Sequence, residues 1–192
     1  GSNDKELQLL VAAINTKLQS YGSTIDMDTH SNLRQGKESD MDQLRKDMAS
    51  GAVDVVMFAG TNPAYTYHDP KKFEAALKKV KTRILIDTHE TETGKHCNYL
   101  LAAHHSLESW GDAEPYKGVF TIQQPTITPL FDTRSLEENL LRWLDRKVDY
   151  YGYIRENWKE TAYATAEGAG SFKDFWREAL RQGHFSSKSL SN

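Results

Sequence analysis

The sequence predicts an α/β fold, with a Rossmann-like, mainly parallel sheet, flanking helices and a C-terminal helical extension. Short apolar runs alternate with segments in which apolar residues recur at helical spacing, and this alternation is typical of βαβ units. One run, residues 53–59, is almost continuously apolar, as expected for a strand buried on both faces of a parallel sheet. These two observations place the chain in the α/β class.

The elements of the predicted sheet follow one another in helix–strand order. Ser39-Asp40 and Asp69-Pro70 mark helix starts, since a proline in the first turn loses no hydrogen bond, and Gly22 and Gly51 mark helix ends. The predicted helices are 4–21, 39–51, 69–80 and a brief one over 91–97. The predicted strands are 24–28, 53–59, 83–87 and 99–103.

The rest of the chain is predicted to be mostly helical. Residues 106–118 are expected to form an acidic loop, 119–124 an edge strand that stops at Pro125, and 126–133 an extended connection. The predicted helices here are 135–146, 149–163 and 171–182, with a flexible joint at 167–170. We therefore expect a Rossmann-like domain over 3–134, a helical extension over 135–184 and a disordered tail over 185–192.

The composition argues against several kinds of partner and cofactor. A net charge of −3 gives no electrostatic case for nucleic acid, which would call for a basic patch and a high pI, so we expect no nucleic-acid partner. No apolar run approaches the roughly 18–20 residues that span a bilayer, so we expect no direct membrane insertion. Cys97 is the only cysteine, and an iron–sulfur cluster generally needs about four thiolates. We expect no cofactor in this chain by itself, and we predict that Cys97 is a small core residue.

Polar residues follow each predicted strand, and ligands of an open parallel sheet bind beyond the carboxyl ends of its strands. Thr29-His30, Gly60-Thr61-Asn62-Pro63, residues 88–93 and His104-His105 follow the four strands in turn. If the strands are parallel, these segments gather along one edge of the sheet. The candidate cofactor-binding residues on that edge are Gly60, Thr61, Asn62, Asp87, Thr91 and Glu92.

The chemistry of these residues suits a nucleoside or another polar ligand. Gly60 lets the backbone approach a ligand closely, and Asn62 offers an amide to a base edge or a hydroxyl. Asp87 could accept from a ribose hydroxyl or a guanine amine, and Thr91 could cap a helix or help to hold an oxyanion. The same residues also suit an ordinary turn and an ordinary helix cap, so both interpretations remain open.

His104, His105 and Glu108 raise the alternative of a small metallohydrolase, since His and Glu are common zinc ligands. Their spacing matches neither of the strong zinc signatures, and adjacent histidines usually point in different directions, so we predict a hydrogen-bonded loop without a metal. We assign no catalytic residue. The four tryptophans are predicted to be packing aromatics, and the tyrosines within 150–153 either pack or form a docking face.

Four blocks of the sequence carry a family resemblance. Residues 55–63 resemble the strand and Asn-Pro turn of the third domain of molybdopterin oxidoreductases, and residues 87–93 resemble its Asp-x-x-x-Thr-Glu-Thr segment. Residues 97–103 are similar to its next short strand, and residues 108–112 to its Glu-x-x-Gly block. The order and spacing of the blocks make the resemblance specific, and together they cover about residues 5–145.

Further blocks resemble the large iron–sulfur and molybdopterin-like subunit of bacterial alternative complex III. These are residues 104–115, 124–134, 149–151 and 175–180. The resemblance implies a respiratory complex on the periplasmic side of the inner membrane that moves electrons from quinol toward a cytochrome or oxidase. It also implies, in the parent protein, molybdopterin guanine dinucleotide and iron–sulfur clusters. The implied partners are the remaining domains of that subunit and the other subunits of the complex.

Two departures from the family pattern decide which function we expect. Molybdenum enzymes of the family usually carry Ala-Asp and then Leu-Pro where this chain has Cys97-Asn98 and Leu101-Ala102. The missing aspartate charge and proline rigidity weaken a pterin site. We therefore expect a non-catalytic scaffold domain of an electron-transfer subunit. The alternative is a domain that binds the guanosine end of the cofactor in an active enzyme, with the candidate residues as contacts.

Overall fold

The computed structural model describes residues 4–187, which contain seven α-helices and six β-strands. The helices are α1 (Lys5–Lys17), α2 (Glu38–Ser50), α3 (Pro63–Thr66), α4 (Pro70–Leu77), α5 (Leu136–Trp143), α6 (Tyr150–Glu160) and α7 (Phe172–Gln182). The strands are β1 (Val55–Ala59), β2 (Thr82–Asp87), β3 (Tyr99–Ala102), β4 (Gly111–Tyr116), β5 (Val119–Gln123) and β6 (His184–Ser186). Short 3₁₀ turns cover Gly94–His96, Ser106–Glu108 and Tyr163–Thr165.

The first sheet is parallel, with the strand order β1-β2-β3. Its register pairs Phe58 with Leu85, and Leu85 with Leu100. Helices α2 and α4 cover one face, where Met48 of α2 and Phe73 of α4 are completely buried in one apolar core with the strand residues. The predicted α/β class, a parallel sheet flanked by helices, is confirmed.

Helix limits follow local signals that the sequence displays. The Asp69 carboxylate accepts the N–H of Lys72 at 3.1 Å, and this bond caps α4 at the predicted start. Ser135 and Glu138 form a reciprocal capping box at the start of α5. Each of these bonds spans three residues, which explains why the sequence alone indicates them.

The predicted first strand, 24–28, is wrong. Only an isolated bridge between Tyr21 and Ile25 forms there. The carboxylate of Asp26 accepts the N–H groups of Asp28 at 2.7 Å and Thr29 at 3.2 Å, and these bonds hold the segment in a turn. The parallel sheet therefore has three strands rather than four.

The second sheet is antiparallel, with the order β4-β5-β6, and it corrects two predictions. Residues 106–118 are not all loop, because β4 forms within them. Residues 119–124 do not form an edge strand, because β5 pairs with a neighbour on each side. Pro125 lies beyond the last residue of β5, so its missing N–H ends the strand without preventing pairing.

This second sheet shares a core with α5, α6 and α7. Trp158 is completely buried there, and Ile122 of β5 packs in the same cluster as Leu141 of α5. Phe185, which falls in the predicted disordered tail, lies in β6 and packs against this cluster. Residues 188–192 of that tail lie outside the described residues. The division of the chain at residue 134 stays a prediction, although the core joins residues from both sides of it.

The burial of the tryptophans, of Tyr150 and of Cys97 tests the predictions made for these residues. Trp158 and Trp176 lie in the second core as predicted. Trp143 is half exposed, so the prediction is wrong for this residue. Tyr150 is buried in the same core. Cys97 is half-buried against the first core, and burial raises the pKa of its thiol.

Helix α1 lies apart from both cores, since none of its residues is buried. Its leucines Leu9 and Leu10 are more than half exposed, and Leu7 is 45% exposed. Within residues 4–187, no helix is both long enough and apolar enough to cross a membrane.

Candidate functional site

The three parallel strands end at the same edge of the first sheet. The register pairs Ala59 with Ile86, and Asp87 with Ala102, so the strands finish level with one another. The segments that leave them, 60–63, 88–93 and 103–105, therefore share this edge, which we call the rim. The expectation that polar segments gather at one end of a parallel sheet is confirmed for these three segments. It is wrong for Thr29-His30, because the predicted strand before it does not form; the N–H of Lys117 donates to the carbonyl of His30 at 3.1 Å.

Asn62 joins two rim segments through both ends of its amide. Its Oδ1 accepts from the backbone N–H of Thr93 at 3.0 Å and from the Thr93 hydroxyl at 2.8 Å. Its Nδ2 donates to Oε2 of Glu92 at 2.6 Å, and this bond holds the pKa of the Glu92 carboxyl below its usual value. The amide of Asn62 is therefore committed to the chain's own groups.

Thr93, which sequence reasoning missed, completes this connection. Its side chain is 0% exposed. Its hydroxyl donates to Asn62 and accepts from the backbone N–H of Ala64 at 3.0 Å, so it ties the segment after β2 to the start of α3. The Thr-Glu-Thr block was a visible signal, but a threonine after a strand has the same appearance in sequence whether it caps a turn or lies in the interior.

Thr91 acts as a cap, which is one of its two expected roles. Its hydroxyl oxygen accepts from the N–H of Gly94 at 3.2 Å, and the residue is 9% exposed. Gly94 is tightly packed, because a Cβ there would lie 2.8 Å from Cδ2 of Leu85. The turn after β2 is thus held by the Thr91 hydrogen bond and by the packing of Gly94 against Leu85.

Gly60 leaves an open stretch of backbone at the rim. It has a φ of +56°, donates its N–H to the carbonyl of Ile86 at 3.1 Å, and has no atom within 4 Å of the place where a Cβ would stand. The Asp87 side chain is 13% exposed, and its Oδ1 accepts from the N–H of Thr88 at 2.7 Å. Gly60 and Thr61 are exposed, whereas the Asp87 side chain is largely buried.

A cleft of about 430 Å³ adjoins this open stretch. Within it, the Tyr67 hydroxyl donates to the Asp42 carboxylate, which lowers the pKa of Asp42 and raises that of Tyr67. This pair links α2 to the residue that follows α3 across 25 positions of sequence, so no local pattern indicated it. The lining residues are Glu38, Met41, Asp42, Thr61, Pro63, Thr66, Tyr67 and His68.

The three candidate zinc ligands do not converge. His104 contacts the Thr133 hydroxyl through Nδ1 at 2.6 Å, whereas Nδ1 of His105 accepts from the N–H of Leu107 at 3.2 Å. Both oxygens of Glu108 accept backbone N–H groups, which lowers the pKa of its carboxyl. Within the part of the chain that the structure describes, no group of three or more His, Cys, Asp or Glu could hold a metal ion.

Comparisons with known proteins bear on the family. No family model matches the chain. The chain is 27% identical over 138 residues to trimethylamine-N-oxide reductase 1 of Escherichia coli strain K12, covering 62% of this chain and 16% of the relative. The reductase of strain O6:H1 is 26% identical over 138 residues with the same coverage.

The similarity to these reductases supports the resemblance of this chain to the molybdopterin oxidoreductase family. The chain spans only 16% of the length of these curated relatives. Among solved structures, acetylene hydratase from Pelobacter acetylenicus is similar, with a TM-score of 0.49 and 17% identity over 76% of this chain and 20% of that chain.

Proposed function

We propose that the chain is a scaffold domain of a molybdopterin oxidoreductase-like protein and catalyses no reaction by itself. The observation that carries this proposal is the Asn62 amide, which is committed to Glu92 and Thr93. The family implies a molybdenum cofactor in the parent protein, and the rim is where its guanosine end would lie by resemblance. The fit of the rim residues to that group therefore decides the function.

The rim residues fit a guanosine group poorly. A base or a ribose would have to displace bonds that Asn62 makes with a buried threonine, and Thr91 already caps its own turn. Breaking a bond to a buried polar group leaves that group unsatisfied, which costs about 1–3 kcal/mol. The rim accordingly serves packing between β1, β2 and α3.

Calorimetric titration of the 192-residue chain with GDP tests this proposal. We expect no binding beyond that of ADP, which carries the same diphosphate on a different base. GDP binding with a micromolar Kd, together with weaker binding by the Asp87→Asn variant, would overturn it.

The open backbone at Gly60, beside the 430 Å³ cleft, favours a second candidate: a domain that holds the guanosine end of the cofactor in an active enzyme. Under this alternative, Asp87→Asn in the whole parent protein lowers the molybdenum content of the purified enzyme. The exposed Glu90→Gln variant is the matched control. Unchanged molybdenum content in the Asp87 variant would refute the alternative.

We further propose that the parent is the large subunit of a quinol-oxidising complex of the alternative complex III type, on the periplasmic side of the inner membrane. Iron–sulfur clusters would then lie in another portion of the subunit. Two blocks that carry this resemblance contact each other: the N–H of Thr126 donates to Leu107 at 2.8 Å, and the N–H of Leu130 donates to Glu108 at 3.0 Å. This arrangement supports a shared role for the two blocks.

The loop held by these bonds displays Leu130, which is 71% exposed, and Phe131, which is 77% exposed. We assign it to contact with the remaining domains or the other subunits. In the intact complex, Leu130→Ser with Phe131→Ser should reduce co-purification of the neighbouring subunits, whereas Leu33→Ser, at another exposed leucine, should not. An unchanged subunit composition in the double variant would contradict this assignment.

A further inference from the structure

A cleft of about 370 Å³ between α5 and the start of α6 is lined by cationic side chains. The four cations are Arg134, Arg142, Arg146 and Lys147. Two carboxylates, Glu138 and Asp149, line it as well, so the cleft is left with two net positive charges. The chain as a whole carries a net charge of −3, which makes this concentration of cations unusual for it.

The backbone brings these cations together from both ends of α5. The N–H of Arg134 donates to the carbonyl of Ala102 at 3.2 Å, which places Arg134 beside the end of β3. After α5, Asp145 adopts a left-handed conformation with a φ of +51° and reverses the chain. The N–H of Arg146 then donates back to the carbonyl of Leu141 at 2.9 Å.

The two carboxylates of the cleft form no ion pair with the four cations. Among residues 4–187, no ion pair involves any of them. Glu138 accepts from the N–H of Ser135 at 3.3 Å and lies 3.6 Å from Nε2 of His104. Asp149 accepts from the N–H of Gly152 at 2.7 Å and caps α6. Both carboxylates therefore have structural roles of their own.

The dipole of α5 explains only part of the cluster. Cations near the C-terminus of a helix interact favourably with its partial negative charge, which suits Arg142 and Arg146. Arg134 precedes the N-terminal cap of α5, where a cation interacts unfavourably with the dipole, yet it lines the same cleft. An external anion would interact favourably with all four cations.

We propose that this cleft binds a phosphate-bearing anion. The planar guanidinium group pairs with phosphate oxygens through two parallel hydrogen bonds, and three arginines offer three such groups. The phosphate belongs either to a soluble phosphorylated compound or to a phospholipid headgroup. We include the second source because Trp143 and Leu144, which follow Arg142 in sequence, are 50% and 70% exposed, and exposed apolar side chains next to cations suit a lipid surface.

The test uses the 192-residue chain with two probes. Pyrophosphate is titrated by calorimetry, and co-sedimentation is measured with vesicles of phosphatidylglycerol and of phosphatidylcholine. The variant Arg142→Gln with Arg146→Gln should bind at least about tenfold more weakly, because it loses two charged donors. The control Lys78→Gln with Lys81→Gln removes the same charge at two exposed lysines elsewhere and should bind like the original chain.

Pyrophosphate binding that the arginine variant alone loses identifies a soluble phosphate ligand. Binding to phosphatidylglycerol vesicles that the arginine variant alone loses identifies a lipid headgroup. Absence of binding to both probes, or an equal loss in the arginine and lysine variants, overturns the proposal. If circular dichroism shows that the double arginine variant is unfolded, Arg134→Gln replaces it, since Arg134 lies outside α5 and outside the reversing turn.

Discussion

Replacing Asn62 with alanine should open the rim locally. The change removes the acceptor for two groups of Thr93, the backbone N–H and the hydroxyl, and Thr93 is 0% exposed. A net loss of about 1 kcal/mol for each of these bonds gives about 2 kcal/mol in total. Since about 1.4 kcal/mol corresponds to a factor of ten, the amide of Thr93 should exchange with solvent about thirtyfold faster.

Hydrogen exchange followed residue by residue is the appropriate assay. All four tryptophans lie at position 110 or beyond, so their fluorescence reports on the second half of the chain and not on the rim. The matched control is Glu92→Ala, which removes only the exposed bond to the same amide and should leave Thr93 exchange unchanged. Equal exchange rates at Thr93 in the two variants and the original chain would refute the role that we assign to Asn62.

Three further predictions follow from the packing and the pKa directions. Gly94→Ala should lower the free energy of unfolding in urea by about 1–3 kcal/mol, because the new Cβ would stand 2.8 Å from a methyl carbon of Leu85 in β2. Gly36→Ala is the control and should have almost no effect, since the space around Gly36 is open. Asp112→Asn should raise Tm at pH 7, and the difference should fade as the pH falls toward 4. Burial raises the pKa of the Asp112 carboxyl in the folded state, so folding favours its protonated form. The stability that this protonation supplies is lost as the pH rises through the folded pKa, and asparagine, which carries no charge, avoids that loss. Glu108→Ala should speed exchange of the Leu130 amide at pH 7, because the variant lacks the carboxylate that accepts this N–H. The pKa of Glu108 is lowered in the folded state, so the exchange rate in the original chain should approach that of the variant only as the pH falls from about 4.5 through the folded pKa. Equal stabilities of the two glycine variants would contradict the packing assigned to Gly94. An Asp112 or Glu108 variant that cannot be distinguished from the original chain at pH 7 would contradict the role assigned to that carboxyl.

Local signals accounted for much of the first half of the fold. The apolar run that became β1 and the proline start of α4 both depend on residues that lie within a few positions of one another. The turn at Asp26 was missed because its carboxylate competes with strand formation for the same backbone N–H groups.

The position of the rim was predicted from the sequence, whereas the hydrogen-bond partners of its side chains were not. Parallel strands bring their ends together whatever their side chains do, so the position of Asn62 and Thr91 followed from topology. Whether an amide is free depends on its partners, and the partner of Asn62 lies 31 residues away. Sequence spacing carries no information about that distance in space.

From the sequence alone, the class of fold, most of the helices and the edge of the sheet that carries the polar segments were determined, because periodicity and capping are local and topology follows from strand direction. The tertiary structure decided that β5 is a central strand, that Thr93 is buried beneath Asn62, and that Arg134 lies in one cleft with Arg146. These features depend on which distant segments pack together. That choice is made by the burial of apolar surface over the whole chain, and no short stretch of residues specifies it.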